Sequence, residues 1–214
     1  MPRIQAPTVA EHRARQRRSI LDAARALLAE NGESPSLAAV GARAGLARSS
    51  VYEYFSSRDD LLAAVIADVL PAWAARIVES VDDAPTPGAR VWAYVTANME
   101  LFAGSEQAVA RALTNVVDPA VLAAPMAEFH QSLREPLLAA LRAHGEPQPE
   151  VMADIVGSMV VRASRDLWSP NKRTAQRRLD AALALLRRLL GPYLQLPGSE
   201  GGAGVEKPSP KRVR

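Results

Sequence analysis

The chain has 214 residues, of which 48% are hydrophobic and 23% charged; it has no cysteine, and its net charge is +3. This length suffices for one or two domains with a sizeable core, and the lack of cysteine excludes disulfides and thiolate metal sites and fits a reducing cytosol. No uncharged apolar run reaches the roughly 20 residues that span a bilayer, and the N-terminus lacks the apolar segment of a signal peptide, so we expect no membrane contact and a cytoplasmic location.

Alanine, leucine and arginine dominate the composition, and the apolar residues show no strong alternation. Both features favour an all-α fold. The charge is uneven: residues 1–58 hold nine arginines against five acidic residues, whereas residues 59–196 hold 13 basic and 16 acidic residues. A basic N-terminal unit on a slightly acidic body indicates that the N-terminal end meets a polyanion.

The first predicted helix covers residues 11–30 and follows a flexible arm over residues 1–10. Basic residues cluster at the start of this helix: Arg13, Arg15, Arg17 and Arg18. They form either a solvated helix end or a set of contacts to nucleic-acid phosphates. Beside the motif described next we favour phosphate contacts, and we assign Arg17 and Arg18 to DNA.

Residues 37–55 predict two short helices around a tight turn. Gly45 ends the first helix, because glycine tolerates the left-handed conformation of a helix end, and Gly41 is small enough to let the second helix approach. Val51 and Phe55 lie inward at i, i+4. This is the layout of a helix-turn-helix, whose second helix enters the DNA major groove. Taken alone, the same pattern also describes a helical hairpin inside an ordinary all-α core.

The second of these helices, about residues 48–55, carries the polar groups expected to meet DNA. Its apolar pair turns inward, which leaves the hydroxyl and guanidinium groups free to reach base edges and phosphates. We assign these contacts to four residues: Arg48, Ser49, Ser50 and Tyr52.

These segments resemble the tetracycline-repressor-like (TetR) family of bacterial transcription regulators over roughly the first third of the chain. The match runs through SILDAARALLAENG (residues 19–32), SLAAVGARAGLARSSVYEYF (36–55) and SSRDDLLAAV (56–65). The family has a similar first helix, a helix-turn-helix that ends in L-Y-x-Y-F, and a basic residue before a leucine pair. The resemblance implies phosphate contacts at three more residues: Ser36, Tyr54 and Arg58.

Three residues depart from the family pattern. Ala47 stands where a serine or threonine usually caps the recognition helix, a loss of about 1 kcal/mol in general. Ala38 replaces a residue that is often polar and reaches DNA, and Glu53 brings a negative charge close to phosphates. These departures bear on the operator sequence rather than on the fold.

Ser57 is the predicted cap of a fourth helix, in which Pro71 should cause a kink or a break. The segment Asp82–Gly88 is the clearest internal break, and Gly191 followed by proline is a stop signal near the end. Residues 197–214 read as a disordered basic tail. Five further helices are predicted, the third of them threatened by two prolines: residues 89–103, 105–117, 119–143, 149–169 and 172–190.

The last two predicted helices carry a broad apolar surface. They either pack inside one subunit or, as the resemblance implies, pair across a two-fold axis into a four-helix bundle, which would suit a two-half-site operator. Four leucines of the last helix form one stripe that two more widen: Leu179, Leu183, Leu186 and Leu190, with Leu185 and Leu189.

Bulky apolar residues on the central helices are either ordinary core or the lining of a pocket for an apolar effector, as the resemblance implies. Asn98 or Arg162 could orient such a ligand. The three histidines lack partners at metal-ligand spacing, and no nucleotide-binding or nucleophile motif occurs, so we expect no metal, cofactor or catalytic residue. The pocket candidates are Trp92, Met99, Phe102, Met126, Phe129 and Met159.

The sequence therefore predicts a DNA-binding domain over residues 11–70 and an effector-binding and dimerisation domain over residues 71–196. These features favour a homodimeric repressor that binds an inverted-repeat operator and is released from it by a ligand. The alternatives are an interaction protein whose helix-turn-helix has lost DNA binding, and an enzyme on the same scaffold, which the missing motifs disfavour.

Overall fold

The structure is a computed structural model that describes residues 9–167, 169 and 171–198. Within these ranges the chain is all-α, as predicted, with nine helices and no strand. Residues 1–8 of the predicted arm and residues 199–214 of the predicted tail lie outside the described ranges. The helices are α1 (Val9–Asn31), α2 (Leu37–Ala44), α3 (Arg48–Tyr52), α4 (Arg58–Asp82), α5 (Pro87–Ala103), α6 (Ser105–Val116), α7 (Pro119–His144), α8 (Pro149–Ser164) and α9 (Lys172–Leu190).

Two predicted helix ends are wrong by several residues. Regular helix in α3 stops at Tyr52 rather than Phe55, and the Tyr54 amide bonds three residues back to the carbonyl of Val51, which closes a tighter turn there. Helix α8 ends at Ser164 rather than residue 169, and the amide of Leu167 bonds three residues back to the Ser164 carbonyl. Such tightened turns are common at helix termini.

Of the kink or break predicted at Pro71, the break does not occur, since α4 continues through this residue to Asp82. Proline removes the bond to the carbonyl four residues earlier, that of Ala67. Both residues are exposed, so water can take the place of that bond. Helix α7 likewise continues through Pro125 and Pro136.

Two hydrophobic cores hold the helices together. The first joins α1–α4 to α6 and to parts of α5 and α7, and Ile20, Val51, Phe55 and Leu113 are among its members. The second joins α5, α7, α8 and α9. The boundary predicted between residues 70 and 71 falls inside α4, and the first core crosses it. Helix α6 packs directly on α1, so the N-terminal helices contact the body at two places, through α4 and through α6.

Helix α9 turns one apolar face inward and another outward. Leu179, Leu186 and Leu190 are buried in the second core, whereas Leu185 and Leu189 are 49% and 58% exposed. In the described part of the chain, five of the eight exposed large hydrophobic residues lie on α8 and α9. They are Val151, Ile155, Val161, Leu185 and Leu189.

The segment after α9 folds back onto the start of α5. Leu194 and Leu196 are buried in the second core, and Thr86 caps α5 by accepting a hydrogen bond from the Ala89 amide at 3.1 Å. Gly88 follows in the first turn, where an added Cβ would lie 2.0 Å from the carbonyl oxygen of Leu194. The two backbones therefore meet at a point where only glycine fits.

Helix α4 is the one helix among the described residues that is long and apolar enough to cross a membrane. Half of its most apolar stretch is buried inside the protein. A core helix of this kind passes the same test of length and composition, so the finding is weak evidence for a membrane.

Candidate nucleic-acid interface and ligand cavity

The turn between α2 and α3 has the geometry of a tight helix-turn-helix corner. Gly45 adopts a φ of 69°, in the left-handed region, and its amide bonds to the carbonyl of Ala42. The Leu46 amide bonds to the Gly41 carbonyl at 2.8 Å. A Cβ on Gly41 would lie 3.0 Å from a methyl carbon of Val51, so α3 packs against a position with no side chain. The predicted roles of both glycines are confirmed.

Helix α3 presents polar side chains on its outer surface. Arg48, Ser49 and Tyr52 are exposed and Ser50 is half-buried. Arg48 Nη2 lies 3.2 Å from Tyr52 Oη, and its guanidinium carbon lies 5.4 Å from the centre of the Tyr52 ring. A guanidinium held over a ring keeps its planar fork of donors oriented, which suits bidentate contact with guanine or phosphate.

The start of α1 is docked on the end of the α3 turn. The guanidinium carbons of Arg13 and Arg17 lie 5.6 Å from the Tyr54 ring centre and 5.8 Å from that of Phe55. The Tyr54 hydroxyl donates to Gln16 Oε1 at 2.7 Å. Sequence reasoning favoured phosphate contact for the basic cluster that includes Arg13 but assigned only Arg17 and Arg18 to DNA; the spacing of four residues between Arg13 and Arg17 places both on one helix face.

Two of the predicted phosphate-contacting residues, Ser36 and Arg58, lie at helix N-termini. Ser36 caps α2 by accepting from the Ala39 amide at 3.1 Å. Arg58 is the first residue of α4, directly after Ser57, whose side chain caps that helix. Arg58 is exposed and has no carboxylate within ion-pair distance among the described residues. Backbone amides at helix N-termini and a free cation are favourable partners for phosphate.

Arg18, which the sequence assigns to DNA, has acidic partners within the unit. Its Nη1 lies 2.9 Å from Asp68 Oδ1 of α4, and its Nη2 lies 3.0 Å from Asp22 Oδ1. The pair with Asp68 joins α1 to α4. The two carboxylates also compete with any phosphate for the Arg18 guanidinium. We therefore leave Arg18 out of the proposed interface.

A second arginine of this unit is also occupied by an acid. Arg43 forms a two-pronged bond with Glu30, with N–O distances of 2.6 and 3.0 Å. The hydrogen bonds and charge of Arg43 lower the pKa of the Glu30 carboxyl below its ordinary value. The pair joins the end of α1 to α2, so Arg43 serves the fold rather than the outer surface.

The three departures from the family pattern are visible in the structure. Ala47 occupies the N-cap position of α3 and provides no side-chain hydrogen bond. Ala38 is exposed on α2, and Glu53 is exposed directly after α3. Helix α3 therefore has a polar outer surface but no side-chain cap.

A cavity of about 390 Å³ lies between α4, α5, α6 and α7. We refer to it as the α4–α7 cavity. Ile66, Leu70 and Trp73 of α4 form one wall, and α6 forms another with Leu113 and others. The lining is mostly apolar, and its volume is in the range of small-molecule sites.

Three of the six predicted pocket residues line the α4–α7 cavity: Phe102, Met126 and Phe129. The other three lie in or against the second core, away from this cavity. Met99 is fully buried there, and Trp92 and Met159 are half-buried. Trp92 has the guanidinium of Arg187 5.7 Å from its ring centre.

A second, more polar cavity of about 680 Å³ lies between α5, α7 and α8. Its lining includes Asn98 and Arg162, the two residues suggested from the sequence as groups that could orient a ligand. Phe102 and Phe129 line both cavities. Of the histidines, only His130 lines either cavity. The described part of the chain contains no group of three or more potential metal ligands.

Comparison with known proteins extends this picture. Residues 20–65 match the model of the family described as bacterial regulatory proteins, tetR family. No curated protein sequence matches the chain. Among solved structures, a TetR/AcrR-family regulator from Thermobifida fusca is 19% identical with a TM-score of 0.64, and the alignment covers 84% of this chain and 98% of that one.

Two other similar structures are ligand complexes. FadR from Bacillus subtilis with stearoyl-CoA has a TM-score of 0.57 and 15% identity, over 78% of this chain and 97% of that one. The SmeT–triclosan complex has a TM-score of 0.54 and 21% identity, over 80% of this chain and 91% of that one. At these identities the likeness establishes the fold, whereas the family model identifies the N-terminal segment. Residues 20–65 thus form a TetR-family domain, and the described chain has the all-α fold of TetR-family transcriptional regulators.

Proposed function

We propose that the chain is a dimeric DNA-binding transcriptional repressor that a small molecule releases from its operator. The observation that carries this proposal is the set of cations around α3. Arg13, Arg17, Arg48 and Arg58 lie on α1, α3 and the start of α4, and in the described chain none of them has a carboxylate within ion-pair distance.

Charge pairing distinguishes these four arginines from three others in the same unit. Arg18, Arg25 and Arg43 in the same unit are all within 4 Å of a carboxylate. An unpaired exposed cation costs nothing to leave in water but attracts phosphate strongly, whereas a paired one must first break its ion pair. The proposed phosphate contacts are therefore these four arginines together with Ser36, whereas the Tyr54 hydroxyl would first have to give up its hydrogen bond to Gln16.

The proposed dimer rests on the outward apolar residues of α8 and α9. Exposed apolar patches on soluble chains usually mark contact surfaces. A second copy is the occupant we infer, because a helix-turn-helix protein reads two half-sites about one DNA turn apart and needs a two-fold partner to do so.

Ligand relief is supported by the position of the α4–α7 cavity. Its walls include α4, which begins at Arg58, and α6, which packs on α1. A ligand that favours one arrangement of these helices over another would shift the spacing of the two recognition helices, and coupling of about 1–3 kcal/mol changes affinity roughly 5–150-fold. The complexes of FadR with stearoyl-CoA and SmeT with triclosan have apolar or aromatic ligands on the same fold.

The DNA-binding proposal is tested with Arg58→Ala and Arg48→Ala. Arg58→Ala should weaken binding to all DNA sequences and reduce the salt slope of the logarithm of the binding constant by about one unit. Arg48→Ala should cost about 1–3 kcal/mol on the preferred operator and much less on random DNA. The measurement is a salt titration of binding to an inverted repeat from upstream of the gene and to random duplex.

The matched control is Arg142→Ala, which removes an exposed arginine at the far end of α7, where it pairs with Glu150. This variant should bind DNA like the wild type. Unchanged operator affinity in both Arg58→Ala and Arg48→Ala would contradict the proposal that these two residues contact DNA. A wild-type chain with no salt-dependent DNA affinity would favour the interaction-protein alternative.

A further inference from the structure

Phe129 of α7 lies where three cavities meet. It lines the α4–α7 cavity, the more polar cavity between α5, α7 and α8, which we call the α5–α8 cavity, and a third cavity of about 590 Å³ between α4 and α7. Phe102 and His130 line both the α4–α7 cavity and the α5–α8 cavity. These two cavities are therefore neighbours, and a ligand that displaces the phenylalanine rings could extend from one into the other.

Charge distinguishes the α5–α8 cavity from the other two. The lining of the α4–α7 cavity contains the carboxylate of Glu106, and that of the third cavity contains the carboxylate of Glu128. The described lining of the α5–α8 cavity has one aspartate and three arginines: Asp154, Arg134, Arg162 and Arg165. A cleft with an excess of one charge attracts ligands of the opposite charge, so an anionic group is favoured in this cavity.

Two of these arginines are available to a ligand. Arg134 is engaged, because its Nη1 lies 2.6 Å from Asp154 Oδ1. Arg162 Nη1 lies 3.7 Å from Asp166 Oδ2, and the two side chains are 71% and 88% exposed. A pair this long and exposed contributes little. Arg165 is exposed and has no carboxylate within ion-pair distance among the described residues. Arg162 and Arg165 can therefore bind a carboxylate with little competition.

Neutral donors line the same cavity. Asn98 is 6% exposed, and its Nδ2 donates to the Tyr94 carbonyl at 2.8 Å, which leaves the second hydrogen of Nδ2 unused by the described residues. Burial raises the pKa of the Tyr94 hydroxyl, which therefore remains protonated and able to donate. His130 has a ring N–H in either of its neutral forms. The cavity is thus rich in donors, which suits a ligand group that accepts hydrogen bonds.

The α4–α7 cavity offers little to a polar group. Its Glu106 carboxylate lies 2.8 Å from Arg76 Nη1, and the Thr114 hydroxyl donates to a main-chain carbonyl of α6 at 2.8 Å. Trp73 Nε1 and Gln107 Oε1 are closed to solvent, so neither can meet a ligand without a rearrangement. The rest of the lining is mostly leucine, phenylalanine, methionine and alanine, and it suits an apolar group.

We propose that the chain binds an elongated amphipathic carboxylate, with its apolar tail in the α4–α7 cavity and its carboxylate beside Arg162 and Arg165 in the α5–α8 cavity. This inference rests on the proposed ligand-relieved function and specifies the ligand class. The opposite orientation is disfavoured, because a carboxylate in the α4–α7 cavity would lose its hydration close to the carboxylate of Glu106. A cationic head would be repelled by the two arginines.

The first test compares probes that share a ten-carbon tail and differ in the head: decanoate, decan-1-ol and decylamine, which is a cation at neutral pH. Butanoate keeps the carboxylate and shortens the tail. Calorimetric titration of the full chain, below the concentration at which the probes aggregate, should show that decanoate binds about tenfold or more tightly than each of the other three. Only decanoate provides both an anionic head and a long apolar tail.

The position of the head is tested at the two arginines. Arg162→Gln combined with Arg165→Gln should abolish the preference for decanoate over decan-1-ol. The matched control, Arg173→Gln combined with Arg177→Gln, removes the same charge from exposed positions of α9 and should keep the preference. The preference is a ratio within one variant, so a general change in stability does not alter it.

The position of the tail is tested by filling the α4–α7 cavity. Ala110→Phe and Ala123→Phe each enlarge a residue of its lining, and either should reduce the advantage of decanoate over butanoate. Ala123 is exposed, so a larger side chain there should not prevent folding even if the half-buried Ala110 does not tolerate one. The control Ala139→Phe, on an exposed position of the same helix outside the cavity, should keep the advantage.

The proposal is overturned if decanoate is not preferred, if no probe binds, or if the preference survives in the double arginine variant. An undiminished advantage over butanoate in both cavity-filling variants would contradict the position of the tail. Operator affinity is measured in parallel on the wild type. Decanoate that binds with the expected preference but leaves operator affinity unchanged supports the ligand class and contradicts ligand relief. Normal operator binding by a protein that binds no probe supports the DNA-binding function and contradicts the ligand class.

Discussion

Replacing Leu185 and Leu189 together by aspartate should produce a folded monomer that has lost most of its operator affinity. Both side chains are largely exposed in the subunit, so the charges cost little inside it. In the proposed dimer they would be buried without partners at a two-fold contact, where each charge also faces its symmetry mate. A single half-site loses the effective concentration of the linked pair, which is worth about 10²–10⁴ in affinity.

The measurement is sedimentation at micromolar concentration, combined with operator binding and far-ultraviolet circular dichroism. The matched control is Ala184→Asp, on an exposed position of the same helix whose neighbours one turn away are Asp180 and Arg188. It introduces an aspartate beside polar residues and should leave the dimer intact. A double variant that sediments as a dimer, or a wild type that is already monomeric, would contradict the proposed interface.

A second large effect is expected inside the subunit, from Gly88→Ala. The new Cβ would lie 2.0 Å from the Leu194 carbonyl oxygen and 3.0 Å from its carbonyl carbon, both of them backbone atoms that no rotamer change can move. The C-terminal segment must therefore shift, and with it the buried side chains of Leu194 and Leu196. Overpacking of this kind costs about 1–3 kcal/mol.

Helix propensity acts in the opposite direction, since alanine is favoured over glycine by about 1 kcal/mol within a helix. A net loss would therefore demonstrate the close contact. Thermal or urea unfolding gives the free energy, and Thr86→Ala, which removes the cap of the same helix at a cost of about 1 kcal/mol, supplies a benchmark. Because the new Cβ would meet backbone atoms at 2.0 Å, we expect a cost in the upper part of that range, so that Gly88→Ala is the more damaging of the two. A stabilised Gly88→Ala protein would show that α5 and the Leu194 segment do not touch.

The helix-turn-helix was predictable because its determinants are local. Gly45, Gly41, Val51 and Phe55 act within one short stretch, and each lies where its size and conformational preference require. The caps Ser36 and Ser57 follow the same logic, since a cap bonds an amide three residues ahead. Patterns confined to a few consecutive residues are the most readable part of a sequence.

The parts that sequence reasoning missed depend on neighbours distant in the chain. The ion pair of Arg18 with Asp68, fifty residues later, could not be foreseen from the basic cluster at the start of α1. Leu183 and Leu185 belong to the same broad apolar face in the sequence, but only packing against α5 decides which of them is exposed. The α4–α7 cavity depends on where four helices leave a gap, and so Leu70 and Trp73 were not among the pocket candidates.

Helix α3 has five residues and no side-chain cap, so it has little stability of its own. Helices this short do not persist alone, because nucleation costs more than a single turn returns. Helix α3 is held in place by the packing of Val51 and of the aromatic residues that follow it. The free protein should therefore sample frayed conformations of α3. Operator binding would then include the entropy of fixing that turn, with a favourable enthalpy, an unfavourable entropy and affinity that declines on warming. In the proposed function, the missing hydroxyl at Ala47 would thus make operator recognition temperature-sensitive.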